Sequence, residues 1–341
     1  MARFSRLEVL NETINIGVVP VFYNGDLEVA KKIVSACAAG GARVIEFTNR
    51  GDNAYRIFSD LVQHFATADP KIILGVGSVL DPATAALYIS SGANFIVGPV
   101  LNPDVAKVCN RRKVAYSPGC GSASEISEAE ELGVEIVKVF PGDAVGGPTF
   151  VKAILGPCPW TRIMPTGGVE ATQESITAWF KAGVAAVGIG SHLVKKEWVD
   201  AGNFEAMTAL TGQIIGWIRQ ARGQGLFLGV EHPGLYPYRG ATGKDMAEWY
   251  GQVFGFKVVE GNSSFFASGS GAGRIEIMKK GDTDRCHLAV LVSDFDAAIA
   301  AVKAKGIEID ESTLVLRPDT KAVYLKQTDP AGNMVHLLWR K

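Results

Sequence analysis

Between residues 16 and 194, short β-branched runs alternate with longer amphipathic patterns. The runs predicted as strands are 16–23, 43–50, 72–79, 95–101, 115–120, 136–141, 162–168 and 186–191. Stretches such as Leu27–Ala38, Ala54–Ala66, Ala123–Leu132 and Gln173–Ala182 lie between them with helical spacing. Each strand candidate is apolar along nearly its whole length, as a parallel strand covered on both faces must be. Eight such units in succession predict an α/β fold, a closed (β/α)8 TIM barrel. An open doubly wound sheet is the alternative, which the count disfavours. In such a barrel the chemistry gathers at the C-terminal ends of the strands.

The pattern breaks after a last helical stretch at 203–221. Arg222-Gly223-Gln224-Gly225 reads as a linker, so the expected domains are 1–222 and 226–341. Beyond it the order is strand 226–232, helix 243–253, then strands 256–260, 264–268 and 273–278. A second unit follows, with strand 286–292, helix 294–305 and short strands ending in 322–327 and 334–339. Two strand–helix–three-strand units predict an α+β domain of two βαβββ modules arisen by duplication.

A formal net charge of −1 gives no global field to attract nucleic acid or an anionic membrane. No apolar stretch is long enough to span a bilayer. The segment Met1-Ala2-Arg3-Phe4-Ser5-Arg6 lacks the apolar core of a signal peptide. Cys37, Cys109, Cys120, Cys158 and Cys286 are dispersed and odd in number, which suits reduced thiols in a cytoplasm.

Residues two apart share a face of a strand, so Glu46, Thr48 and Arg50 project together. A carboxylate and a guanidinium at a strand's C-terminal end would face the barrel mouth; a structural ion pair is the other reading. Lys138 stands inside the apolar run 136–141, where lysine is costly unless paired or neutral. Burial and a nearby cation such as Arg50 would lower its pKa and free a nucleophilic amine, with Glu46 as a candidate base on the same mouth. A lysine reaching solvent from the rim is the alternative. Pro165-Thr166-Gly167-Gly168 and Gly188-Ile189-Gly190-Ser191 carry glycines that would let backbone N–H groups, with a helix N-terminus behind them, meet an anion. They are also residues that simply make turns. Gly75-Val76-Gly77-Ser78 adds a glycine-flanked strand end with a hydroxyl for a carboxylate.

Six motifs, in order, resemble the 2-keto-3-deoxy-6-phosphogluconate / 4-hydroxy-2-oxoglutarate aldolase family. They are Glu46-Phe47-Thr48-Asn49-Arg50, Gly75-Val76-Gly77-Ser78-Val79, Ser117-Pro118-Gly119, Lys138-Val139-Phe140-Pro141, Pro165-Thr166-Gly167-Gly168 and Gly190-Ser191. The resemblance covers most of 12–220. It implies a Schiff base on Lys138, with Glu46 moving protons. It implies that Arg50 and Ser78 hold the pyruvyl carboxylate, that Gly167, Gly168, Gly190 and Ser191 take the distal phosphate of a 2-keto-3-deoxy acid with Thr166 as a further substrate contact, and that Pro99 and Phe140 wall the pocket. No cofactor is implied for this step, and a homotrimer or other homo-oligomer is. Ser78 stands where the family often has threonine, Gly142 where alanine is common, and Asn49 where an apolar residue is common.

Residues 226–340 resemble the vicinal-oxygen-chelate (glyoxalase / bleomycin-resistance) superfamily. The matching pieces are Cys286-His287 through Asp294, Thr328-Asp329-Pro330 through His336, and Tyr250 with Phe254-Gly255-Phe256. Glu276, His287 and His336 fall on three of four usual ligand positions for a divalent metal, His336 replacing a more usual glutamate. The fourth position, near Phe227, is apolar, with Glu231 and His232 close by but displaced. The leading expectation is a pyruvate-forming aldolase with an accessory domain. The alternatives are a metal-dependent isomerase or dioxygenase that uses the barrel as scaffold, and a non-enzymatic sugar-acid sensor.

Overall fold

A computed structural model describes residues 2–269 and 273–340. The chain divides into two units, one ending at Gly223 and the other beginning at Gln224.

In the first unit, β1 (Val18–Phe22), β2 (Val44–Thr48), β3 (Ile73–Gly77), β4 (Phe95–Val97) and β5 (Ala115–Ser117) pair in parallel. Pro118 interrupts the run, and the chain resumes as β6 (Gly119–Cys120), which pairs with β7 (Val137–Val139) and then β8 (Ile163–Pro165). The last strand, β9 (Val187–Ile189), returns to β1. A bridge between Thr166 and Gly188 joins β8 to β9, so the eight runs follow one another around a ring. A proline has no N–H for a ladder, which is why the expected strand 115–120 is split.

Helices connect the strands, and their starts are set by polar caps. Asp26 accepts from the amides of Glu28 and Val29, Ser122 from Glu125 and Thr172 from Ser175. A helix not expected from the sequence, Arg6–Ile16, precedes β1, closed at its start by a Ser5–Glu8 capping box. Its Val9 and Leu10 pack with Val19, Val44, Ile73, Phe95, Ala115, Ile136, Met164 and Ala186. These are inward-facing strand residues, so the helix plugs one end of the barrel. Alternate residues share a face, so Glu46 and Lys138 each stand one step above this layer on the same inner face.

The second unit is an eight-stranded sheet. Its strands are β10 (Phe227–Leu235), β11 (Lys257–Glu260), β12 (Ser264–Ser268), β13 (Ile275–Met278), β14 (Cys286–Val292), β15 (Ile309–Leu316), β16 (Thr320–Leu325) and β17 (Met334–Arg340). Their order is β11-β12-β13-β10-β14-β17-β16-β15, two βαβββ modules meeting at β10 and β14. Helices Gly243–Phe254 and Phe295–Lys303 each follow a module's first strand. The β15 strand is the one that the sequence defines poorly in the second unit: polar Asp310, Glu311 and Ser312 are followed by exposed Leu314, Val315 and Leu316, so no two-residue period shows. Among the described residues no helix is long and apolar enough to cross a membrane.

Candidate functional site

Glu46 and Lys138 are both buried, at 1% and 5% exposure. Glu46 pairs in register with Val21 and Gly75, and its carboxylate leans over the next glycine of β3. A Cβ built on Gly77 would lie 1.7 Å from Glu46 Oε1. Burial pushes the Glu46 carboxyl above its ordinary range, with Lys138 and then Arg50 pulling it back. Its Oε2 is buried without a hydrogen-bond partner. Such an atom in a cation-lined interior is a ready acceptor for a proton or a substrate hydroxyl.

Lys138 pairs with Gly119 on one side and Met164 on the other, and its Nζ lies 5.1 Å from the Phe140 ring centroid. Arg50 follows β2 and is exposed; its Nε donates to Ser78 Oγ at 3.2 Å. Ser78 takes a left-handed backbone with φ 61°, unusual for a residue with a Cβ, and this turns its hydroxyl toward Arg50.

A cavity of about 530 Å³ opens here, lined by Arg50, Phe140, Thr166, Gly167, Gly168, Gly190 and Ser191 among others. Gly167 and Gly168 have φ of 87° and 71°. A Cβ on Gly168 would meet the Asp143 side chain at 2.2 Å, so only glycine fits the turn. Gly142 and Asp143 amides donate to the carbonyls of Thr166 and Gly167, tying the loop after Phe140 to this turn. Thr166 Oγ1 is buried without a partner. Behind Gly190 the chain makes a turn in which Leu193 and Val194 amides donate to its carbonyl, and the next helix starts only at Lys196. The expected helix N-terminus is therefore not immediately behind this glycine. Glu46, Lys138, Ser78 and Pro99 do not line the cavity wall; Pro99, half-buried, sits against Gly119. Tyr23, at the end of the expected strand 16–23, and His192, just past Gly190-Ser191, also line it and were not among the expected site residues.

The second unit carries a separate cluster. His232, His287 and His336 are buried, and their ligand atoms lie within 4.8 Å of one another. Glu276 Oε2 is 2.9 Å from His232 Nε2 and 3.3 Å from His287 Nε2, while its Oε1 accepts from Ser264 Oγ at 2.6 Å. The fourth position thus belongs to His232, not to the region of Phe227. The sequence reading ended this strand at 232, but β10 runs on to Leu235 and its register with β14 shifts twice, between Phe227 and Gly229 and between Val230 and His232. Two shifts of one residue leave the facing of His232 unchanged but slide it two places along β14, so that it lies opposite Ala289, which pairs with His336 on the other side.

Small neighbours make the convergence possible. Ala289 lies between His232 and His336 in register, and Gly234 between Glu276 and His287. A Cβ on Gly234 would stand 1.9 Å from the His287 ring. Burial raises the Glu276 carboxyl, but hydrogen bonds with His232, His287 and Ser264 hold it well below the usual carboxylate range. Burial, with the charges of His287 and His232, lowers His336 to about 3. His336 is therefore neutral at ordinary pH, and its Nε2 is buried without a partner. Three imidazoles and one carboxylate, one with an orphaned lone pair, fit a divalent ion of borderline softness.

The KDPG and KHG aldolase family pattern matches residues 9–210, and that of the Glyoxalase/Bleomycin resistance protein/Dioxygenase superfamily matches 241–337. The KHG/KDPG aldolase of Escherichia coli K12 is 32% identical over 198 residues, 58% of this chain and 90% of that protein. A KDPG aldolase from Legionella pneumophila, solved with pyruvate captured at low pH as a covalent carbinolamine intermediate, superposes with TM-score 0.55 at 29% identity, over 60% of this chain and 97% of that one. The 2-keto-3-deoxy-6-phosphogluconate aldolase of Zymomonas mobilis ZM4, solved with 3-phosphoglycerate, gives TM-score 0.55 at 27% identity, over 62% of this chain and 97% of that one.

Proposed function

The chain belongs to the KDPG and KHG aldolase family and is a lyase, and from that premise we propose that it cleaves a 2-keto-3-deoxy acid to pyruvate and an aldehyde through a Schiff base on Lys138. The observation that carries this reading is the burial of Lys138 and Glu46 on one inner face, each within the other's field, beside the Arg50–Ser78 pair. The Lys138 amine attacks the 2-keto carbon, and loss of water gives an iminium. That group accepts the electron pair when the bond between C3 and C4 breaks. Glu46, its carboxyl raised by burial, takes the C4 hydroxyl proton, and the aldehyde leaves. The enamine is then protonated at C3 and hydrolysed to pyruvate, restoring the amine.

Arg50 and Ser78 hold the pyruvyl carboxylate, Pro99 and Phe140 bound the carbonyl end, and Thr166, Gly167, Gly168, Gly190 and Ser191 receive the distal end of the substrate. A phosphorylated distal end suits the open backbone of the glycine turns. The Zymomonas relative was solved with a phosphorylated acid, and the Legionella relative with pyruvate bound covalently. The chain acts as a homotrimer in the cytoplasm, which sedimentation of the purified protein tests for assembly. Borohydride reduction with pyruvate, followed by peptide mass mapping, tests the mechanism. An adduct on Lys138 is expected; a folded, pyruvate-exposed protein without one overturns it.

A second reading concerns the C-terminal unit, on the observation of the buried histidine cluster. His232, Glu276, His287 and His336 would hold a divalent transition metal, which when bound supplies a Lewis acid for a chelating oxygen ligand. This unit's own residues do the rest: Ser264 fixes one oxygen of Glu276, and Tyr236 hydrogen-bonds His287 Nδ1 at 3.2 Å.

A further inference from the structure

The cluster in the second unit is reached by one residue that the alternation of a strand does not explain. Consecutive residues of a strand point to opposite faces, yet Glu231 Oε2 contacts Nδ1 of the next residue, His232. The register between β10 and β14 accounts for this. Val230 pairs with Val290 and His232 with Ala289, so Glu231 is the extra residue of a bulge. Bulges bend a strand locally and re-aim side chains beside functional sites.

The carboxylate is anchored from two further strands' ends. Its Oε1 lies 3.0 Å from Arg274 Nη2, just before β13, and 3.3 Å from Arg340 Nε, at the end of β17. The other ring nitrogen of His232, Nε2, faces Glu276 Oε2 at 2.9 Å and His287 Nε2 at 3.4 Å. His287 has a comparable arrangement, with Nδ1 on Tyr236 and Nε2 inside the cluster. An imidazole that donates from Nδ1 presents its lone pair on Nε2.

We infer that Glu231 is a positioning residue for a metal in this cluster, locking His232 with Nδ1 on the carboxylate and Nε2 free to ligate. The inference rests on the metal reading proposed above. The charge balance gives it a reason. Glu276 is the one carboxylate among the four ligands, so a divalent ion with three neutral imidazoles would leave the centre positive. Glu231, through His232, places a second negative charge one ring away. Arg274 and Arg340, with two positive charges against this one, hold the carboxylate in place. Its effect therefore comes from the charge-assisted bond it accepts from the ring's Nδ1–H, which an amide would weaken. The effect on affinity is that of an outer partner, about 10–100-fold.

The test uses the full-length protein stripped with a chelator and titrated with zinc against a chromophoric competitor. Glu231→Gln keeps the size and an acceptor but removes the charge. Its zinc dissociation constant should rise about 10–100-fold, and the visible absorption bands of the cobalt-substituted protein should shift. A residue that merely braces β10 against Arg274 and Arg340 would change the unfolding midpoint and leave both readouts alone. Nitrogen NMR of zinc-loaded wild type provides a check that needs no variant: His232 should ligate through Nε2 and carry its proton on Nδ1. Ligation through Nδ1, or unchanged affinity and spectrum in Glu231→Gln, overturns the inference while the metal reading stands. Failure of the wild type to bind zinc or cobalt overturns both.

Discussion

Replacing Gly77 by alanine tests the role of Glu46 without touching its carboxyl group. An alanine Cβ would lie 1.7 Å from Glu46 Oε1, 2.6 Å from Cδ and 3.0 Å from Cγ. Carbon and oxygen approach to about 3.3 Å at closest without repulsion, so the carboxylate must retreat by roughly 1.6 Å. Gly77 does not have a positive φ, so the backbone itself accepts alanine and the perturbation falls on Glu46. A misplacement of about 1 Å in a catalytic group can cost about 10²-fold in rate, or close to 2.7 kcal/mol of barrier. Overpacking of a dense interior adds a stability loss of about 1–3 kcal/mol. Pyruvate release from a 2-keto-3-deoxy acid, followed with lactate dehydrogenase, should therefore fall by about two orders of magnitude in Gly77→Ala. Borohydride trapping of pyruvate on Lys138 should persist, since the amine lies on another strand. A folded variant that cleaves substrate within about threefold of the wild-type rate, well short of that loss, refutes the placement of Glu46 at the reacting centre.

Three further outcomes follow from the same geometry. Burial raises the Glu46 pKa, against the pull of Lys138 and Arg50, so its contribution to stability is fully present below the unfolded-state value and is lost as pH rises through the folded-state value. Glu46→Gln, neutral throughout, should gain thermal stability relative to wild type as pH climbs from about 4; melting curves showing a constant or shrinking difference would contradict the burial argument. A chain ending at Gly223 should fold and still form pyruvate, because the aldolase relatives are matched almost wholly within this part; a folded but inactive barrel would mean that the second unit completes the site. Gly234→Ala should push the His287 ring out of the cluster, destabilise the protein by about 1–3 kcal/mol and weaken zinc binding; zinc titration with unchanged affinity would show that the ring has room the structure does not give it.

The barrel was legible because its evidence is periodic. Residues such as Val44, Glu46 and Thr48, or Ile136, Lys138 and Phe140, share one face of a strand. A charged residue inside so apolar a run stands out whatever its neighbours are. The helix Arg6–Ile16 was hidden for the opposite reason. It buries only Val9, Leu10 and Thr13 and leaves Leu7 exposed, so its apolar stripe is too weak to announce a helix. His232 was missed because two bulges in β10 slide it two places along β14, to lie opposite Ala289, and alternation within one strand does not report such a shift. Tyr23 and His192 reach the cavity from loop positions, where no period constrains direction.

The glycines show where a sequence argument stops and a structural one begins. From the chain alone Gly75-Val76-Gly77, Gly188 and Gly190 read as open backbone for an anion or as turns. In the fold, Gly77 gives its space to the Glu46 carboxylate and Gly188 to the Thr166 hydroxyl, whose Oγ1 would sit 2.3 Å from an added Cβ. In the unrelated sheet of the second unit, Gly234 does the same for the His287 ring. In each case a polar side chain on one strand occupies the place of the missing Cβ on the next. The reason is steric: a functional group inside a close-packed interior has no solvent to extend into, and neighbouring Cβ atoms otherwise fill the face. A functional side chain buried in a strand is therefore matched by a glycine at or near its partner position across the ladder, as with Glu46 and Gly77 and with His287 and Gly234, whereas Gly75 and Gly119, though in register with Glu46 and Lys138, leave their space to Phe95 and Pro99. Pairing is set by register, which alternation within one strand does not report, so this signature emerges only once the strands are aligned.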